Sequence, residues 1–167
     1  MISNYKKKKF EIIIFSILLL LPIFIDSYYL DNISYFMCWT FISLGLAVIW
    51  GMGGILSFGQ TAFFGLAGYA FSVISINFLG IAGVSIWSVI LSLIITGIFG
   101  MIVGYFLFYG GIYDVFIGIV TLAITLVLET FMQQTAGPEY TIGSARLNGF
   151  NGMQGMPTIG FESLQFG

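Results

Sequence analysis

Residues 45–70, GLAVIWGMGGILSFGQTAFFGLAGYA, decide what kind of membrane helix this chain can form. They include seven glycines, a serine and a glutamine within a stretch that is otherwise apolar enough for a lipid bilayer. Each glycine weakens a helix and uncovers backbone polar groups, which hydrocarbon cannot satisfy. We therefore expect a broken or re-entrant helix that lies among other helices or beside a cavity, as in a transporter.

The composition of the whole chain is that of an integral membrane protein. Of its 167 residues, 59% are hydrophobic and only 7% are charged, and residues 32–113 contain no Asp, Glu, Lys or Arg. A spanning helix needs about 20 apolar residues, so this uncharged block is long enough for three or four crossings. A soluble globular domain is excluded.

Hydropathy predicts an all-α fold with about five transmembrane helices in residues 1–131. The predicted spans are 10–25, 33–50, 55–78, 86–109 and 112–131, and the third is the one expected to be broken. Residues 132–167 are rich in Gly, Gln and Asn, which predicts a turn-rich periplasmic loop. Because this loop follows an odd-numbered helix and then stops, we expect a chain cut short before further helices; a natural tail is the alternative.

The amino terminus sets the predicted orientation. Four lysines, residues 6–9, precede an apolar segment, a pattern shared by secretory signal peptides and retained first helices. Residues 26–29 lack the small residues of a cleavage site, which favours a retained helix. Since lysine-rich ends stay in the cytoplasm, we expect a cytoplasmic amino terminus, a cytoplasmic bend at residues 51–54 and an external tail.

Several kinds of chemistry are missing from the sequence. It contains no His and a single Cys, Cys38, so His-dependent catalysis, a thiolate metal site and an intrachain disulfide are excluded. It also lacks a phosphate-binding loop and a basic patch for nucleic acid. We therefore expect no enzyme activity, no bound cofactor or metal and no nucleic-acid partner; ATP hydrolysis, if any, would belong to separate subunits.

The last predicted span carries a polar stripe, in which Thr121, Thr125, Glu129 and Gln133 recur every four residues. Residues at this spacing share one helix face, which Asp114 and Gly118 extend towards the amino terminus. Two interpretations stay open: the stripe lines a transport pathway, or it packs against other helices with Glu129 at headgroup level. The candidate pathway residues are Ser57, Gln60, Thr121, Thr125 and Glu129.

Small residues predict where helices approach one another. Gly100 and Gly104 form a GxxxG pair, which permits close packing in membranes. A buried amide needs several partners, so Gln60 is expected to bridge to the bend or to another helix. The predicted packing and hinge glycines are Gly51, Gly53, Gly54, Gly59, Gly65, Gly100 and Gly104.

The glycine-rich run resembles the GL...G.GG.LS.GQ.AF.G.GAY signature of branched-chain amino acid ABC transporter permeases of the LivM type. Residues 111–113 with 119–123 are similar to the family's GxYF.(I)VTLA stretch, and residues 147–152 to its TGG.NG segment. The chain departs from the family where Arg146-Leu147-Asn148 stands in place of Thr-Gly-Gly, so substrate identity is not carried over. Family members are much longer, and the resemblance covers their amino-terminal half, without the segment that couples to the ATPase.

The resemblance implies a permease subunit of an ATP-binding cassette importer in the bacterial inner membrane. Its substrates would be branched-chain amino acids or related small solutes such as urea and short amides, moved by alternating access. The implied partners are a second permease subunit, cytoplasmic ATPase subunits and an extracytoplasmic solute-binding protein that meets residues 148–152.

Other functions remain open at the level of sequence. One alternative is a small self-contained channel or ion-coupled carrier that works as an oligomer, with coupling at Glu129 or Asp114. A scaffold protein that transports nothing is a third interpretation. Transport that persists without ATPase partners would exclude the ABC importer.

Overall fold

The computed structural model describes residues 2–81, 83–113 and 115–157 and is mainly helical, which confirms the predicted all-α fold. Asp114 and the end of the tail, residues 158–167, lie outside the described residues. Two short strands and one 3-10 turn follow the last helix. The described α-helices are α1 (Ile2–Phe24), α2 (Ser27–Gly53), α3 (Gln60–Asn77), α4 (Val84–Tyr109) and α5 (Val115–Gln133).

Within the described residues, α2, α4 and α5 are long and apolar enough to cross a membrane, by length and composition. Helix α3 has 18 residues, about 27 Å of helix, and carries polar Gln60 and Asn77 at its two ends. The predicted third span was expected to begin at residue 55, but α3 begins only at Gln60. Residues 55–59 are therefore part of the break that the glycines predicted.

The chain divides into two units, Met1–Ser43 and Leu44–Gly167. The first contains α1 and the beginning of α2. The carbonyl of Asp26 accepts hydrogen bonds from the amides of Tyr29 and Leu30 (3.0 and 3.1 Å), which starts α2 directly after α1. Apolar side chains along α1, such as Phe15 and Leu19, are exposed, as expected of surfaces that meet lipid or other helices.

In the second unit, α3 packs against α4 through small residues. Ser72 and Ser75 of α3 and Ser88 and Ser92 of α4 are buried, and short side chains let membrane helices approach closely. A Cβ at Gly100 would lie 3.7 Å from the Phe63 ring, an ordinary contact, so this predicted packing glycine does face α3. A Cβ at Gly104 or Gly65 would meet no atom of another helix within 4 Å.

The tail folds into a small hairpin rather than only turns. Strands β1 (Thr141–Ile142) and β2 (Ala145–Arg146) pair antiparallel, with Thr141 opposite Arg146. Gly143 occupies the turn with φ +63°, a conformation that favours glycine. The 3-10 turn Gly149–Asn151 follows, with Gly149 buried against Ala136.

Asn77 holds this hairpin at the end of α3. Its side-chain amide donates to the carbonyl of Ile142 (2.8 Å), and its Oδ1 accepts from the backbone amide of Ser144 (2.8 Å). The same Nδ2 also donates to the carbonyl of Val73 one turn back in α3 (2.8 Å). Asn77 thus anchors the hairpin to α3, and the hydroxyl of Ser72 in α3 makes a second link to the tail by donating to Met156 Sδ.

Candidate functional site

The break between α2 and α3 begins at Gly54. This residue has φ +66°, and its amide donates to the Trp50 carbonyl (3.0 Å), an arrangement that ends helices at a glycine. Gly51 and Gly53 still belong to the last turn of α2. The chain is non-helical from residue 54 to residue 59, and Gly59 precedes α3 without a side-chain cap.

The centre of the break is bonded to α5. The amide of Phe58 donates to Thr121 Oγ1 (3.1 Å), and the Thr125 hydroxyl lies 3.2 Å from the Phe58 carbonyl. Thr121 is only 4% exposed. Two threonine hydroxyls of α5 therefore hydrogen-bond the backbone amide and the backbone carbonyl of Phe58, which lies outside the helices. We call these two bonds the Phe58 latch.

The threonines keep their bonds within α5 as well. Thr121 donates its hydroxyl hydrogen to the carbonyl of Ile117 or of Gly118 (2.8 and 3.0 Å), which leaves the oxygen free to accept from Phe58. Thr125 has one hydroxyl hydrogen and two acceptors in reach, the Phe58 carbonyl and the Thr121 carbonyl (2.9 Å). The bond between Thr125 and the Phe58 carbonyl can therefore break while the Thr125 hydroxyl still donates to the Thr121 carbonyl.

Close backbone approach makes the latch possible. A Cβ at Gly118 would lie 3.3 Å from the Leu56 carbonyl oxygen and 3.4 Å from the Phe58 ring. A Cβ at Gly59 would lie 3.3 Å from Thr121 Cβ. Both glycines are buried, and a larger residue at either position would push the break away from α5.

Ser57 and Gln60, two of the predicted pathway residues, flank the latch. Ser57 is buried, and its Oγ accepts from the amide of Gly59 (3.3 Å), so it stabilises the turn locally. The side-chain oxygen of Gln60 would be 3.5 Å from a Cβ placed on Gly45 of α2. Within the described residues the Gln60 amide makes contact with α2 but no hydrogen-bonded bridge.

A cavity of about 400 Å³ lies beside the latch, between α3, α5 and the tail. It contains two of the five predicted pathway residues, Thr125 and Glu129, while Ser57, Gln60 and Thr121 do not line it. Thr125 belongs to both the latch and the cavity. The lining residues are Thr61, Ala62, Gly65, Leu66 and Tyr69 from α3, Thr125, Leu128, Glu129, Met132 and Gln133 from α5, and Gly149 and Phe150 from the tail.

Glu129 is the acidic residue of this lining. Gln133 Nε2 donates to its Oε1 (3.0 Å), and Oε2 accepts no hydrogen bond from the described residues. No lining residue is basic. The predicted polar stripe is therefore divided by the structure: Thr121 is bonded to the break, and Thr125, Glu129 and Gln133 face the cavity.

The latch lies inside the span of α5 instead of at its end. Thr121 and Thr125 are six and ten residues from Val115, which places them about 9 and 15 Å along a helix of about 28 Å. The break thus reaches well beyond the predicted bend at residues 51–54. Backbone groups at such a depth must be satisfied by protein, and the two threonines do so for Phe58.

Sequence reasoning missed Asn77, and it expected Phe150 only within the tail segment 148–152 that meets the binding protein, not in the lining of a cavity. A polar Asn at the end of an apolar segment is the only signal for Asn77, because its partners lie 65 and 67 residues away in the chain. Phe150 lines the mouth of the cavity from the tail while 76% exposed. The serines buried between α3 and α4 were also not predicted, because the glycine pattern alone indicates close helix packing.

Helices of spanning length beside an internally bonded break are typical of membrane transport proteins. Residues 28–161 match the family model of the branched-chain amino acid transport system, permease component. The match covers most of the chain, and the chain belongs to this family, as the resemblance predicted. Searches among curated proteins and among solved structures give no match.

Proposed function

We propose that this chain is a permease subunit of an ATP-binding cassette importer in the bacterial inner membrane. Its substrates would be branched-chain amino acids or related small solutes, with urea and short amides as the related classes. A second permease subunit, cytoplasmic ATPase subunits and an extracytoplasmic solute-binding protein would complete the transporter. The family supports the permease role; substrate and partners are the proposal.

The Phe58 latch is the observation that supports this function most strongly. A helix that only anchors a protein in lipid cannot contain an irregular segment, because its backbone polar groups would be unsatisfied. Transporters, in contrast, place non-helical backbone beside the path of the solute. Here the irregular segment adjoins a cavity, and one residue, Thr125, belongs to both. A solute in the cavity could therefore influence the position of the break.

This arrangement suggests how alternating access would operate. With the amino terminus in the cytoplasm, the tail and the cavity mouth face outwards, and the latch lies at the inner end of the cavity. Solute released by the binding protein would enter beside the tail near residues 148–152. Closure of the ATPase subunits would then shift α3 against α5 and open the inner end.

The five candidate residues take different roles in this proposal. Thr125 and Glu129 would contact the solute, since both line the cavity. Thr121 and Ser57 would hold the break in place. Gln60 would follow the movement of α3 relative to the last turns of α2, which it contacts at Gly45.

Uptake of labelled leucine, urea and isobutyramide into bacterial cells tests the proposal. The chain is expressed together with candidate ATPase, permease and binding-protein subunits from the same genome, and each is deleted in turn. We expect uptake of at least one solute that vanadate abolishes and that needs the ATPase gene. Uptake that survives ATPase deletion but collapses with an uncoupler would instead establish an ion-coupled carrier.

A further inference from the structure

The cavity has an unbalanced charge. Its described lining contains one carboxylate, that of Glu129, and no Lys or Arg. The five basic residues of the sequence are at positions 6–9 and 146, and none of them is in the described lining of the cavity. Arg146 is engaged in the tail, where its Nη2 donates to the Ala136 carbonyl (3.2 Å). A ligand in this cavity therefore meets a negative charge without a compensating positive one.

Glu129 is exposed, and one of its carboxylate oxygens has a neighbouring side chain as its hydrogen-bond donor. Gln133, one turn further along α5, donates to Oε1, which orients the carboxylate and leaves Oε2 to accept from a ligand. The hydroxyl of Thr125 lies one turn in the other direction on the same face. Because Gln133 is neutral, it orients the carboxylate without neutralising its charge.

The remainder of the cavity wall is mostly apolar. Ala62 and Leu66 of α3 and Leu128 and Met132 of α5 line it, together with Phe150 from the tail. Such a surface suits a short branched hydrocarbon group. A volume of about 400 Å³ is in the usual range for small-molecule sites.

We infer that Glu129 determines specificity by accepting the protonated amine of the solute, while the apolar wall receives its hydrocarbon part. This inference rests on the proposed function. It also predicts which solutes the cavity prefers. Because the cavity recognises the amine end, a branched amine without a carboxylate binds at least as well as the amino acid. Uncharged amides and urea, which offer no cation, are bound weakly.

Ligand binding to the purified full chain tests this inference independently of transport. The probes are 3-methylbutylamine, leucine and 3-methylbutanamide, which share one branched hydrocarbon group and differ in charge. We expect the amine and leucine to bind and the amide to bind at least tenfold more weakly, about the value of one charged hydrogen bond. Equal binding of amine and amide would overturn the inference.

Three substitutions complete the test. Glu129→Gln keeps the shape and the contact with Gln133 but removes the charge, so amine binding should fall about tenfold or more, with amide binding unchanged. Glu129→Asp should retain part of the preference. Glu139→Gln, which neutralises a carboxylate in the tail that does not line the cavity, is the matched control and should change nothing.

The two proposals can fail separately. If ATPase-dependent leucine uptake is present and Glu129→Gln leaves the preference of amine over amide unaltered, the role of Glu129 is wrong and the importer stands. If the amine preference depends on Glu129 but uptake never requires the ATPase, the site stands and the importer is wrong. Thermal unfolding of each variant in detergent confirms that a loss of binding does not arise from unfolding.

Discussion

The amide of Phe58 donates a hydrogen bond to the hydroxyl of Thr121, a residue 63 positions later in the chain, at 3.1 Å. This bond joins the irregular centre of one membrane segment to the regular face of another. It explains why a threonine, and not a larger or fully apolar residue, occupies the buried position facing the break. Its removal is therefore the most direct test of the fold.

Replacing Thr121 with Val should destabilise the protein. The variant keeps the side-chain shape but leaves the Phe58 amide without a partner, at a cost of about 1–3 kcal/mol. Thermal unfolding in detergent measures the change. Thr121→Ser retains the hydroxyl and should lose less, while Thr130→Val is the control, because Thr130 bonds only to the Leu126 carbonyl of its own helix.

Enlarging Gly118 should separate the break from α5. In Gly118→Ala the new methyl group would crowd the Leu56 carbonyl at 3.3 Å, which we expect to cost about 1–3 kcal/mol. Gly68→Ala, within α3, meets nothing within 4 Å and should be neutral or stabilising, because alanine favours helix. Equal melting temperatures for the two variants would contradict the close approach at Gly118.

Removing the Asn77 side chain should release the hairpin. Asn77→Ala loses the bonds to Ile142 and Ser144, and the strand that contains Arg146 should open more often. Trypsin reports this directly, since Arg146 is its one cleavage site outside the lysines at positions 6–9. We expect cleavage after Arg146 to accelerate about tenfold, as for a local stability loss of about 1.4 kcal/mol. Asn151→Ala, in the same tail, should leave the rate unchanged.

A side chain at Gly143 should have the same effect by another route. Gly143→Ala forces a left-handed turn position to accept a Cβ, and that Cβ would overlap the Asn77 side chain. Gly152→Ala also has positive φ, +70°, but meets no neighbour within 4 Å. Faster tryptic cleavage in the Gly143 variant alone would show that the effect is local to the hairpin turn beside Asn77 and not a general result of adding a Cβ at positive φ in the tail.

Much of the helical framework could be predicted from the sequence because its signals are local. Uncharged apolar runs predict helices, and the glycines at positions 51–59 predict a break, which the structure confirms between α2 and α3. The predicted centre of the break lay at residues 51–54, whereas α2 continues to Gly53 and the irregular segment extends to Gly59. Glycine composition locates a weak helix but does not say where tertiary bonds will replace its hydrogen bonds.

The site was less predictable because its contacts are distant in sequence. A four-residue period places Thr121, Thr125 and Glu129 on one face, but only the fold shows that Thr121 faces Phe58 while Glu129 faces a cavity. The hairpin was also missed. Its strands have two residues each, too few for an alternating pattern, and its attachment depends on Asn77 far upstream.

The dependence of Phe58 on α5 has a consequence for biogenesis. During synthesis the segment around Phe58 leaves the ribosome well before Thr121 and Thr125. Until they are made, the amide and carbonyl of Phe58 lack their partners and are costly to place in the bilayer core. We therefore expect the α2–α3 region to stay at the translocon or at the aqueous interface until α5 is made. On this expectation insertion is ordered, with the glycine-rich segment reaching its final position only once α5 is present to bond it.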